Sequence, residues 1–264
     1  MMIEYAEKIF RKAEIVYVQQ VAMGVAQILR SRTNIEKLDA CLKAAEIVTR
    51  YLAGLSLASY ARRAEEHESE VLELSSTVKG SLSWGTFLEI IQRIHAQKAE
   101  QPAKSHLSAF KSGKKNTITV EELLVDLLNI RNKEGHSLNV ITAAQAGIYL
   151  NGADGVVAKF AEILGRLERV LCSPLFIVEE TRYEKKCYPT RLLWLMGQSP
   201  DPEPVELVLH AGVEESNRPY VAIGKCLLEM WPFFAWDMIA GDLNRFVLLQ
   251  IDKITEKSLH MKPI

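Results

Sequence analysis

The strongest constraint on the fold is a change of hydrophobic period at Cys172-Ser173-Pro174. Before it, apolar residues recur every three to four positions over long stretches, the period of a helix with one buried face. After it they come in short alternating or continuous runs cut by turn-forming residues, the texture of strands. The fold expected is therefore α+β: an all-α bundle over residues 1–172, followed by a smaller, mainly antiparallel β-rich unit over residues 173–264.

Within the first part, Ile3, Ala6, Ile9, Phe10, Ala13 and Val16/Tyr17 predict one long amphipathic helix over residues 2–31. Thr33-Asn-Ile-Glu36 has the spacing of a capping box and predicts the start of a second long helix, running to about residue 66. Ser83 can cap a third, from Trp84 to about residue 97, with Phe87, Leu88, Ile91 and Ile94 on its buried side. Residues 98–116 break the period with Pro102, Gly113 and five lysines against the single Glu100, and read as a basic loop. Thr119-x-x-Glu122 is a second capping box, opening a Leu-rich helix, and helical period returns over residues 141–150 and 156–171.

In the second part, LFIVEETRY, RLLWLM, VELVLHA and RFVLLQIDKI read as strands, with a firm turn around Gly197, Pro200, Pro202 and Pro204. A helical or irregular insert is expected near residues 229–242. Its Trp231, Phe233, Phe234 and Trp236 could form an aromatic face, and core packing is the preferred reading, because aromatic rings carry so much burial.

Composition excludes several function classes. A net charge of −1, with 25% charged residues, gives no global field toward nucleic acid or membrane, so any nucleic-acid contact must use a local patch. Four scattered cysteines without C-x-x-C spacing argue against a structural zinc site or redox pair and for a reduced, cytoplasmic setting. No apolar run reaches the ~18 residues of a membrane span. The phosphate-binding, dinucleotide-binding, zinc-protease and nucleophile-elbow signatures are all missing. No cofactor and no metal are expected.

What remains is the end of the Leu-rich helix, Arg131-Asn132-Lys133-Glu134-Gly135-His136. Arg offers a permanently charged planar fork suited to phosphate oxygens, and His moves protons near neutral pH. On a continuous helix, residues five apart point about 140° away from each other, so Arg131 and His136 would not share a face, whereas Asn132 and His136 would. Two arrangements make the segment chemically useful: a local break at Gly135, or the meeting of two copies across a two-fold axis. The same four-residue gap separates Arg62 and His67, but there it lies in a run of glutamates and reads as solvated surface.

Arg-Asn-x-x-x-His at the end of a Leu-rich helix in an all-α bundle resembles the HEPN domain family, and SLSWGTFLEII resembles the opening of the helix that precedes the motif in bacterial members. The likeness covers roughly residues 35–170. It implies a metal-independent endoribonuclease, acting as a homodimer on RNA, of the kind found in toxin–antitoxin and antiviral defence systems. Arg131 would hold the scissile phosphate, His136 would act as general acid or base for attack by the ribose 2′-OH, and Asn132 would position one or the other. Lys104, Lys111, Lys114 and Lys115 of the basic stretch would track the RNA backbone. A neutralising antitoxin or other partner protein belongs to the same expectation. Glu134 stands between the two motif residues and could pair with either or repel RNA. The alternative is a non-catalytic HEPN-like dimerisation or sensor module that binds a partner protein or ligand. A small-molecule enzyme with a pocket in the C-terminal unit is a third class.

Overall fold

A computed structural model describes residues 2–62, 80–96, 103–111, 118–135, 141–152, 154–209, 212–213, 215–224, 226–238, 246–254 and 259–263. Helices and antiparallel sheets are both present, as an α+β chain requires. The chain divides into two compact units, neither continuous in sequence. The first comprises Met1–Arg50, His106–Cys172 and Gly197–Pro200, and the second Tyr51–Ser105, Ser173–Met196 and Asp201–Ile264. One crossing falls at Cys172/Ser173, where the period changes. Residues 51–105, however, belong with the sheets, so the stretch 35–170 is shared between the two units.

The first unit is helical. It holds α1 (Met2–Val16), α2 (Gln19–Arg30), the start of α3 (Asn34–Ala61), most of α5 (Lys104–Lys111), α6 (Val120–Gly135), α7 (Ala143–Leu150), α8 (Val156–Arg166) and the single turn α9 (Glu168–Leu171). The expected helix over residues 2–31 is broken in two at Tyr17-Val18. The helical period runs on through the break, but the backbone leaves the ladder for partners elsewhere. The Val18 N–H donates to the Leu171 carbonyl at 2.9 Å, and the Tyr17 carbonyl accepts from Gly197 N–H at 2.8 Å. Tyr17 is fully buried, and its hydroxyl donates to the Leu164 carbonyl at 3.1 Å. Gly197 has φ +75°, and a Cβ there would come within 2.9 Å of the Ile15 carbonyl oxygen, so a side chain is excluded on both counts. Phe10 packs on Phe160, ring centroids 5.9 Å apart, joining α1 to α8.

Both expected capping boxes form. Thr33 Oγ1 accepts from Glu36 N–H at 3.1 Å, while the Glu36 carboxylate accepts from Thr33 N–H at 3.2 Å. Thr142 and Gln145 make a third at the start of α7, which the sequence reading missed.

The second unit contains the rest of α3, α4 (Trp84–Ala96) and two antiparallel sheets. One sheet has the order β4 (Glu203–Leu209), β3 (Tyr188–Trp194), β2 (Leu175–Thr181), β5 (Pro219–Ile223), β6 (Cys226–Glu229). In the other, β8 (Phe246–Ile254) is flanked by β1 (Gly80–Ser81) and β7 (Phe234–Met238) and also pairs with β9 (Leu259–Pro263). Phe176, Val178, Leu192 and Tyr220 form the buried centre of one face of the five-stranded sheet, with Trp194 and Val205 packed against it.

Of the insert expected near residues 229–242, residues 230–233 are irregular, 234–238 prove to be strand following the strand at 226–229, and 239–242 lie outside the described residues. Phe234 is drawn into the interior by α3. It packs edge-on to Tyr51 at 6.1 Å between centroids and lies so close to Gly54 that a Cβ on that glycine would stand 2.2 Å from its ring. Phe234 is thus core, as read, whereas Trp231 stays exposed with the Arg218 guanidinium 5.5 Å from its ring centre. The sequence reading also did not name the β5–β6 hairpin or β9. Among the described residues, no helix is long and apolar enough to cross a membrane.

Candidate functional site at the end of α6

Helix α6 starts where Thr119-x-x-Glu122 predicts. The Glu122 carboxylate accepts from Thr119 N–H at 2.6 Å, and Thr119 Oγ1 accepts from Glu122 N–H at 3.1 Å. The backbone N–H and then the hydroxyl of Thr119 hold the Glu122 carboxyl below the usual carboxylate range. Val120, Leu124 and Leu127 are fully buried and Leu123 nearly so, while Leu128 and Ile130 are half-buried. The apolar stripe therefore seats the first two turns and leaves the last turn toward solvent.

Polar contacts within the first unit then fix the helix at three heights. At its start, Arg166 of α8 donates to the Ile118 carbonyl and pairs with Glu162. In its middle, Lys159 Nζ lies 2.9 Å from the Asp126 carboxylate. At its end, the Tyr149 hydroxyl of α7 donates to the Glu134 carboxylate at 2.7 Å. The last contact matters most for the motif. Glu134 stands three residues from Arg131, close enough to pair with it on a helix. Instead its carboxylate is taken up by Tyr149.

Arg131 is exposed, and Asn132 half-buried beside it. An Arg131 Nη1–H donates to Asn132 Oδ1 at 3.4 Å, a long contact beside the usual 2.7–3.2 Å range. Among the described residues the guanidinium has no carboxylate partner. A permanently charged fork whose one described contact is this long hydrogen bond is suited to receive a planar or tetrahedral oxyanion.

The described part of α6 ends at Gly135, and His136 lies outside the described residues, as do Lys114 and Lys115. Lys104 and Lys111 are not in a loop. They stand on α5, which forms because Ala103, Leu107 and Phe110, all buried, recur at spacings of four and three. Lys111 lies 4.0 Å from Glu121 in the first turn of α6. Ten residues at 1.5 Å rise put that turn about 15 Å along the axis from Arg131. The structure thus brings Arg131 and Asn132 together and leaves Lys111 at the opposite end of the helix. Arg62, of the second Arg-His pair, donates to the Leu227 carbonyl at 2.9 Å within the sheet unit, and His67 lies outside the described residues.

Tyr149 is the participant that sequence reasoning missed. It sits on a different helix, and no local pattern in AAQAGIYL ties it to Glu134. Of the two cysteines in the first unit, Cys41 is buried, which pushes its thiol up to about 12, and burial also raises Cys172, so neither is an activated nucleophile. Among the described residues no group of three or more His, Cys, Asp or Glu side chains is placed to hold a metal ion. No family model matches the chain, and no curated protein or solved structure matches it.

Proposed function

We propose that the chain is a metal-independent endoribonuclease of HEPN type, working as a symmetric dimer in which two copies of the α6 end meet. The observation that carries this reading is an Arg131 without a carboxylate partner among the described residues, on a helix tied down at three heights, while the nearby Glu134 is engaged by Tyr149. In the proposed reaction, the ribose 2′-OH attacks the adjacent phosphorus and its proton passes to a neutral His136. The bond to the 5′-oxygen of the next nucleotide breaks, and that oxygen takes a proton from the imidazolium of the second copy. The products are a 2′,3′-cyclic phosphate end and a 5′-hydroxyl end. Arg131 neutralises the charge that builds on the phosphoryl oxygens, and Asn132 holds the guanidinium in register.

The test is cleavage of a labelled single-stranded RNA in excess EDTA, with the product ends identified by mass. Arg131→Ala and His136→Ala, each shown folded by far-UV circular dichroism, should lose on the order of 10²-fold or more of the rate. Undiminished cleavage in either variant removes the site assignment. A dimer that leaves RNA intact under all conditions favours the non-catalytic module instead.

A further inference from the structure

The five-stranded sheet ends on β4, which among the described residues pairs only with β3, from Glu203 opposite Trp194 to Leu209 opposite Tyr188. The opposite edge, β6, is four residues long. Five of the seven β4 residues are exposed, including Leu207 at 41% and Val208 at 56%. Edge strands usually carry a device that stops another chain from pairing with them. Here Glu203 and Pro204 blunt the first part of β4, but Leu207, Val208 and Leu209 carry neither a proline nor a charge.

The register adds a charge argument. Glu180 of β2 stands opposite Arg191 of β3, and Arg191 stands opposite Glu206 of β4, so a row of alternating sign crosses the sheet and stops on an acid. Arg191 Nε is 3.0 Å from the Glu179 carboxylate, and Arg182 is paired with Glu180 at 2.7 Å. Glu206 makes no hydrogen bond or ion pair with any described residue. It lines a groove of about 500 Å³ together with Glu180, Arg182, Glu184, Arg191 and Val208, where both guanidiniums already have carboxylate partners.

We infer that β4 accepts an added strand: an extended segment of a partner protein that places a Lys or Arg opposite Glu206 and apolar residues on either side of it. Backbone N–H and C=O groups would supply affinity, and the cation opposite Glu206 the selectivity. A second copy of β4 is the poorer occupant. Its sequence, EPVELVL, holds two acids and no base. Antiparallel self-pairing would therefore set Glu206 against an apolar residue or another carboxylate. The inference is independent of the ribonuclease reading, since cleavage of RNA is not among its readouts.

The experiment uses the full chain and two fluorescein-labelled nine-residue peptides of alternating Thr and Val, one with Lys and one with Glu at the centre. Fluorescence anisotropy should show the Lys peptide binding about tenfold more tightly than the Glu peptide, with Glu206→Lys inverting that order. Amide exchange should slow over residues 205–209 when the Lys peptide is added. Binding that is absent, indifferent to the central charge, or unchanged in Glu206→Lys overturns the inference. So does a dimer of the peptide-free chain that Val208→Lys dissociates, because the edge would then belong to a second copy.

Discussion

The helix that presents Arg131 and the strand that presents Glu206 are both surface elements, one in each unit, and they are finished in different ways. Helix α6 has its polar ends satisfied from within the first unit: a capping box at the start, Lys159 on Asp126 midway, and Tyr149 on Glu134 at the end. Among the described residues, Arg131 in its last turns has no carboxylate partner. Among the described residues strand β4 is paired along one side only, and Glu206 is an anion without a partner beside exposed apolar residues. The contrast separates two ways of offering a surface. The helix offers a side chain on a backbone whose position is fixed by others, as chemistry at a phosphate needs. The strand offers its own main chain, as recognition of another polypeptide needs.

Substitutions should separate the two elements by size of effect. Leu127, fully buried on α6, should cost about 2–5 kcal/mol when replaced by Ala, read as a lower urea midpoint, because a cavity remains where the stripe was seated. A cost below ~1 kcal/mol would mean that α6 is not anchored by that stripe. Thr119→Ala removes the cap and should cost about 1 kcal/mol. The cap also gives α6 an acid limb. The folded Glu122 carboxyl lies below its ordinary 4.5, so near that pH the unfolded chain binds more protons and stability rises with pH. The contribution is complete above 4.5 and is lost as pH falls through the depressed folded value. Glu122→Gln should therefore flatten the acid limb of a stability–pH curve, and an unchanged limb would remove the cap from the account. Val208→Lys on β4 should change stability by less than about 0.5 kcal/mol, since Val208 is 56% exposed. A large loss would show that the edge is covered in solution.

Much of this architecture was legible, and the failures share one cause. The two capping boxes, α4, α6 and four of the strands follow from local period and turn chemistry, which neighbours within a few residues settle. The break at Tyr17-Val18 could not be seen, because Ile9, Ala13 and Tyr17 keep helical spacing while the bonds that divert the backbone come from Leu171 and Gly197. Helix α5 was hidden by the lysines around Leu107 and Phe110, whose spacing carried the signal. Strand β7 was masked by its aromatics, and Phe234 is buried by its approach to Tyr51 and Gly54, far away in sequence. At the site, Arg131 and Asn132 were legible as a motif. The fate of Glu134 was not, since it rests on a hydroxyl fifteen residues away.

The pairing of β1 with β8 sets a schedule for making the protein. Gly80 pairs with Ile254 and Ser81 with Lys253, across about 170 residues of chain. At roughly 5–20 residues per second of synthesis, the ribosome needs on the order of 10–35 s to deliver β8 after β1 has emerged. Until then β1, with the end of α3 and α4, must wait without the sheet it joins. A chain stopped at residue 172 would carry β1 without β8, the strand it pairs with.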